Sequence, residues 1–308
     1  MIAATPFAQI TLIGLSSGAA IALLALGLVL IYRTTGVLNF AHWAIGLLAV
    51  AAYLGISEAG VPAAAAAALS MPLAVAGGVL AYRLVFRGLP RTSQIIVILI
   101  AVGVAQVYTA LVSFALKFQI FTALRPWLPV GEWRLLGVNV RSTDLVTAAV
   151  AIAVAFGFLL WFRRSTTGRA LRAVAQNREA AVLAGVDEAR YSAIAWGIGS
   201  ALSALALLLV LPHVAGAGGG IITAFDLSPL GTLLIPAFGA ALVGGLVHLP
   251  MTVVGGFAFG LARELLILAP KPWSDLRTSI AAILIVLLLL ARTERFFTSP
   301  KELEALEA

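Results

Sequence analysis

The sequence predicts an all-α, polytopic integral membrane protein with about eight to ten transmembrane helices, some of them interrupted. Three observations carry that expectation. Of 308 residues, 62% are hydrophobic and only 11% are charged. The mean hydropathy is +1.07. The apolar runs are also continuous: Ile21 to Ile31 and Ile280 to Leu290 contain no polar residue. A soluble domain carries about 25% charged residues, so this chain could not keep a surface wet, and disorder is excluded by the same composition. Strands of a membrane barrel would alternate apolar and polar residues over about ten positions, and these runs do not.

A helix needs about 20 apolar residues to cross hydrocarbon. Stretches that qualify or nearly do run over 8–31, 40–57, 61–82, 93–116, 144–162, 191–211, 230–248, 251–269 and 278–291. The last is short and the second is interrupted. The first has no charge from Met1 to Tyr32, so it lacks the basic start of a signal peptide and reads as an uncleaved span. Gly14 with Gly18, and Gly256 with Gly260, are small-xxx-small pairs that let helices approach closely in lipid.

Two spans end in permissive backbone, at Arg33–His42 and at Pro212–Gly220. In the expected topology the helices before them run in opposite directions. Interrupted helices at matching places of inverted repeats mark a transport pathway. Basic residues set the orientation. If the loop 163–190 is cytoplasmic, most of the twenty basic residues lie inside, the N-terminus is outside and the C-terminus is cytoplasmic. Loop 117–143 runs against the trend, with Lys117, Arg125, Arg134 and Arg141 outside. Its Trp127 and Trp133 fit an interfacial patch or simple packing.

Absences narrow the chemistry. There is no cysteine, so thiol catalysis and disulfides are excluded. A phosphate loop requires Gly-Lys-Ser/Thr, and the lysines here precede Phe118, Pro272 and Glu302. No ATP site is expected in this chain, and no metal: His42, His213 and His248 are far apart and lack ligand spacing. Asp226 is expected to be solvated in an outer loop. Glu264, beside Arg263, is the one acidic residue in the interior of a span, since Asp144 stands at the very start of 144–162. Adjacent helical positions point about 100° apart, so the two are not expected to form a clean pair. Glu264 serves either a structural contact or a pathway. His42 follows Asn39, Phe40 and Ala41 at the edge of a span, where it serves either a capping or interhelical hydrogen bond, or a gate or pathway lining. Asn39, Phe40, His42, Trp43 and Glu264 are therefore the pathway or gate candidates.

Residues 163–190 form the richest polar element and read as two short helices. Thr167 is placed to cap the first and Asn177 the second, with Glu179 favourable in its first turn. Gly185 supplies a stop. Leu171, Val174 and Ala175 share a face, and apolar knobs at helical spacing on a polar loop can dock into a groove of another protein.

Several segments together resemble the membrane subunits of branched-chain amino acid ABC importers, of the LivH type. They are Gly36-Val37-Leu38-Asn39-Phe40-Ala41-His42, Thr167-Gly168-Arg169-Ala170-Leu171-Arg172-Ala173, Ala184-Gly185-Val186, Ala237-Phe238, Gly244-Gly245, Leu249-Pro250 and Gly255-Gly256. Trp43 stands where that family usually has glycine, and Val247-His248-Leu249-Pro250-Met251 replaces its Gly-Ser-Leu-Pro-Gly. The resemblance implies the ABC importer permease fold, a single transmembrane domain over 1–308, and a location in a bacterial or archaeal inner membrane. It implies that 163–190 couples to separate ATPases through Thr167, Gly168, Arg169, Leu171, Arg172, Asn177, Glu179 and Gly185. No cofactor is expected in this chain, with ATP and magnesium on partner subunits. The implied partners are a second related permease, two cytoplasmic ATPases and an extracytoplasmic substrate-binding protein, with no nucleic acid. The cargo would be branched-chain or related hydrophobic amino acids. A permease for urea, amides or another small solute, and an ion-coupled secondary transporter, remain as alternatives.

Overall fold

A computed structural model describes residues 4–89, 93–116, 127–129, 131–135, 138–214 and 228–291. Helix α1 (Ala4–Thr35) leads to α2 (His42–Glu58) and α3 (Ala63–Ala81), which a π-helical turn continues to Phe86. After α4 (Gln94–Ala115) comes a hairpin of β1 (Glu132–Leu135) and β2 (Val138–Arg141). Then follow α5 (Ser142–Arg164), α6 (Thr166–Gln176), α7 (Arg178–Leu183) and α8 (Glu188–Val214). The described residues end with α9 (Ser228–Gly231), α10 (Leu234–Val243), α11 (Leu249–Leu265) and α12 (Ile280–Ala291).

Among the described residues, six helices are long and apolar enough to cross a membrane: Phe7–Thr35, Ala63–Phe86, Gln94–Ala115, Ser142–Arg164, Glu188–His213 and Leu249–Leu268. α2, α10 and α12 are apolar but shorter. The stretch 230–248, expected as one span, is broken into α9, α10 and a turn. The cause is local. Gly245 and Leu246 both adopt left-handed backbone, with φ of 61° and 59°. Leu246 N donates to Ala241 O and Gly245 N to Leu242 O, which closes the helix end. For leucine that conformation costs roughly 1–2 kcal/mol. The burial of its side chain holds it there.

α1 and α8 form the centre. Their apolar windows are 78% and 72% buried, against 22–33% for the other four spans. A helix that is apolar all round belongs inside, and α1 from Ala19 to Ile31 presents almost no surface. The outer helices instead expose leucine, isoleucine and phenylalanine, such as Leu69, Ile95, Phe114 and Phe156, as a lipid-facing surface does. Lipid tails remove the hydrophobic drive between helices, so close packing must hold them. The two glycine pairs meet each other: α11 lies antiparallel to α1, with Gly260 against Gly18 and Gly256 against Ala22. A Cβ on Gly256 would lie 2.6 Å from the Ala22 backbone. α1 crosses α8 in the same way, where a Cβ on Gly27 would lie 2.7 Å from Gly199 O.

One end of the bundle carries the hairpin, with Trp133 paired opposite Val140. This segment was expected only as loop. At that end Trp127 Nε1 donates to Leu208 O at 2.9 Å, so Trp127 packs on α8 while Trp133 stays exposed. Asp144 joins α5 to α8 through His213 at 2.8 Å and also accepts from Arg141 Nε at 3.1 Å. The opposite end carries α6 and α7. The second permissive segment continues past Val214 into 215–227, and Asp226 with it, outside the described residues.

Candidate coupling element and pathway residues

The basic loop folds as two helices, as expected, but its first cap differs. Ser165 Oγ, not Thr167, accepts from Gly168 N at 2.9 Å, and Thr167 lies inside α6. Ser165 is the residue where α5 ends with extended backbone, so it alone has the geometry of a cap. Asn177 caps α7 as expected, its Oδ1 accepting from Ala180 N at 2.9 Å. Gly185, with φ of 81°, stands just beyond the end of α7.

α6 is fastened to the end of α5. Arg172 donates Nη1 to Phe162 O and Nη2 to Arg163 O, the latter at 3.1 Å. Arg169 Nη1 reaches Arg164 O at 3.4 Å. Carbonyls at a helix C-terminus lack intrahelical partners, and a guanidinium satisfies them while complementing the dipole. Gly168 lies directly against Phe162, where a Cβ would collide with its carbonyl. On the other side, Arg178 pairs with Glu188 at the start of α8. The element is therefore tied to α5 and to α8.

The expected docking knobs are partly corrected. Leu171 and Val174 are buried at 0% and 4% exposure. They form the amphipathic face that α6 lays on its own bundle, so they are not available to a partner. The large apolar side chains that the element exposes are Val182 and Leu183, at 51% and 89%. Arg169, Asn177, Glu179 and Gly185 are also exposed. A six-residue helix has too little buried face to cover these two, a feature invisible in the spacing of α6.

The pathway candidates separate into two places. After α1, Gly36 N closes on Tyr32 O with φ of 72° at Gly36. Asn39 Oδ1 then accepts from Ala41 N at 3.0 Å and turns the chain into α2. His42 is wholly buried. Its Nε2 lies 3.1 Å from Leu24 O, and its own carbonyl accepts from Ser203 Oγ at 2.9 Å. It thus joins α1, α2 and α8 through interhelical hydrogen bonds. Phe40 meets Phe238 of α10 with ring centroids 5.8 Å apart. Trp43 lies over Gly231 of α9, where a Cβ would come within 3.1 Å of the indole. Ser203 and Phe238 complete this cluster, and only Phe238 had a signal in the sequence, through the resemblance.

Glu264 is not part of that cluster. It is buried near the far end of α11, beyond the Gly260 contact with Gly14 and Gly18. Arg263 Nε reaches its Oε1 at 3.8 Å, since long side chains span the angle between adjacent positions. Among the described residues no group of acidic, histidine or cysteine side chains could hold a metal.

Residues 10–292 match the family described as branched-chain amino acid transport system / permease component. The Pseudomonas aeruginosa high-affinity branched-chain amino acid transport system permease protein BraD is 29% identical over 263 residues, covering 81% of this chain and 83% of the relative. The Escherichia coli permease protein LivH of the same description is 26% identical over 264 residues, covering 82% and 83%. Among solved structures, an inward-facing metal-chelate type ABC transporter aligns with a TM-score of 0.50 at 19% identity, covering 92% of this chain and 85% of that one. That likeness concerns the fold.

Proposed function

The chain belongs to the family of branched-chain amino acid transport system permease components, and from that premise we propose how it works and with what. It is a multi-pass membrane permease subunit that carries no ATP site of its own. It forms half of a translocation pathway for branched-chain or related hydrophobic amino acids. The other half comes from a second, related permease. Two cytoplasmic ATPases hold ATP and magnesium, and an extracytoplasmic substrate-binding protein delivers the cargo. The N-terminus faces outside and the C-terminus the cytoplasm of a bacterial or archaeal cell, and 1–308 act as one transmembrane domain.

The observation that carries this reading is the fastening of α6 to α5. Arg172 and Gly168 join the element to a spanning helix with no slack, while Val182 and Leu183 remain exposed beside it. An ATPase that grips α7 would move α6 as a lever, and α6 would move α5 and α8. The Asn39–Trp43 turn, packed against α8, α9 and α10, is the segment on which such a motion acts as a gate.

The test is reconstitution with candidate ATPases and binding proteins, followed by labelled-leucine uptake. Uptake that requires both ATP and the binding protein is expected. Uptake driven by an ion gradient without ATP, and abolished by Glu264→Gln, would instead identify a secondary transporter.

A further inference from the structure

Between the ends of α1 and α5, helix α6 and the turn into α11 lies a cavity of about 660 Å³. Its lining includes Arg33, Arg163, Arg172 and His248 and, among the described residues, no acidic side chain. Arg33 and Arg172 both stand over the Phe162 ring, their guanidinium carbons 5.7 and 5.5 Å from its centre. Arg172 is engaged with the α5 carbonyls. Arg33 is half-buried and has no carboxylate partner among the described residues. Two guanidiniums sharing one ring in a partly desolvated place repel each other, and an anion between them removes that cost. Forked guanidinium donors match the oxygens of a phosphate.

The position of the cavity identifies the source of that phosphate. Three spanning helices begin or end around it: Phe7–Thr35 just past Arg33, Ser142–Arg164 at Arg163, and Leu249–Leu268 at Leu249. The cavity therefore lies at headgroup level. Its other wall is apolar, with Leu159, Val247, Leu249 and Pro250. Beyond the rim, Leu160, Met251 and Val254 are 39%, 48% and 56% exposed, an apolar surface suited to acyl chains. Basic pockets between spanning helices at this depth take anionic headgroups. We propose that the cavity holds the phosphate of an anionic phospholipid, bridging Arg33 on α1 to Arg172 on α6. The bound lipid would stiffen the joint between the central helix and the coupling element.

The test uses the full chain, purified with its accompanying subunits into nanodiscs of equal phosphatidylglycerol and phosphatidylcholine. Native mass spectrometry then reads the ratio of the two lipids retained on this chain. The wild type is expected to favour phosphatidylglycerol. Arg33→Gln is expected to cut the ratio roughly fivefold, the equivalent of the ~1 kcal/mol that one basic side chain contributes near an anionic membrane surface. Arg33→Lys, which keeps the charge, is expected to retain most of it. If Arg33→Gln does not fold, judged by its melting profile, Arg163→Gln on the exposed rim supplies the same comparison. An equal ratio in the wild type, or an unchanged ratio in the glutamine variant, overturns the proposal. Phosphatidylglycerol discs are also expected to raise the melting temperature above that in phosphatidylcholine discs; inorganic phosphate raising it equally in phosphatidylcholine discs overturns the proposal, because the site would then draw on solution and not on the membrane. Uptake is not measured, so the outcome is separate from that of the transport assay.

Discussion

Gly168 shows how one missing Cβ shapes the candidate site. The contact it makes with the Phe162 carbonyl leaves no room for a methyl group. Gly168→Ala should therefore push α6 off the end of α5 and cost about 1–3 kcal/mol, as overpacking does. Melting of the purified protein would register that loss. Ser165→Ala removes only a cap and should cost about 1 kcal/mol without disturbing the α5–α6 contact. A neutral Gly168→Ala would show that the junction has slack and that the lever is not rigid. Arg172 was legible as a basic residue of the loop, but its duty was not. It serves the carbonyls of its own chain, and sequence spacing does not report where a long side chain bends back. Thr167 was misplaced for a related reason: Ser165, Thr166 and Thr167 are all capable caps, and only the backbone angle at the end of α5 selects among them.

At the scale of elements, the α1–α11 crossing is the clearest case of sequence foretelling a contact. Gly14, Gly18, Gly256 and Gly260 were expected at helix interfaces, and the two pairs pack on each other. Gly260→Leu should separate α1 from α11 and sharply lower the yield of folded protein in detergent. Gly103 has nothing within 4 Å of a Cβ position and serves as the control. Gly103→Ala should be neutral or stabilising by up to about 1 kcal/mol, since alanine favours helix. Equal behaviour of the two variants would remove the packing argument. The break of 230–248 was less legible. A continuous apolar stretch reads as one span, and the left-handed pair Gly245–Leu246 depends on a buried site for Leu246 that hydropathy cannot reveal. The hairpin was missed because its two four-residue strands sit inside a loop that carries no spanning signal.

Across the whole molecule, a displacement of the coupling element must be transmitted to the distant turn. The spanning helices α5 and α8 are the two to which the α6–α7 element is tied, and α8 also receives the carbonyl of His42 through Ser203. A push on α7 can thus reach the Asn39–Trp43 turn through α8 alone. Arg172→Gln should weaken the tie to α5, leaving ATP hydrolysis by the partner subunits largely intact while uptake falls several-fold. Parallel loss of both activities would point to failed assembly. An engineered Leu183→Cys should react with a membrane-impermeant thiol reagent only from the cytoplasmic side. Labelling from outside intact cells would invert the topology and end the coupling proposal.

Composition and pattern were enough to establish a multi-helix membrane protein, its basic two-helix loop and its small-residue crossings, because these follow from solvent and from chain-local geometry. The burial of Leu171 and Val174, the joining of Arg33 and Arg172 over Phe162, and the separation of Glu264 from the Asn39–Trp43 turn could be learned only from the folded chain. Each depends on which distant segment arrives beside a residue, and in an apolar environment many helix faces look alike until packing chooses between them.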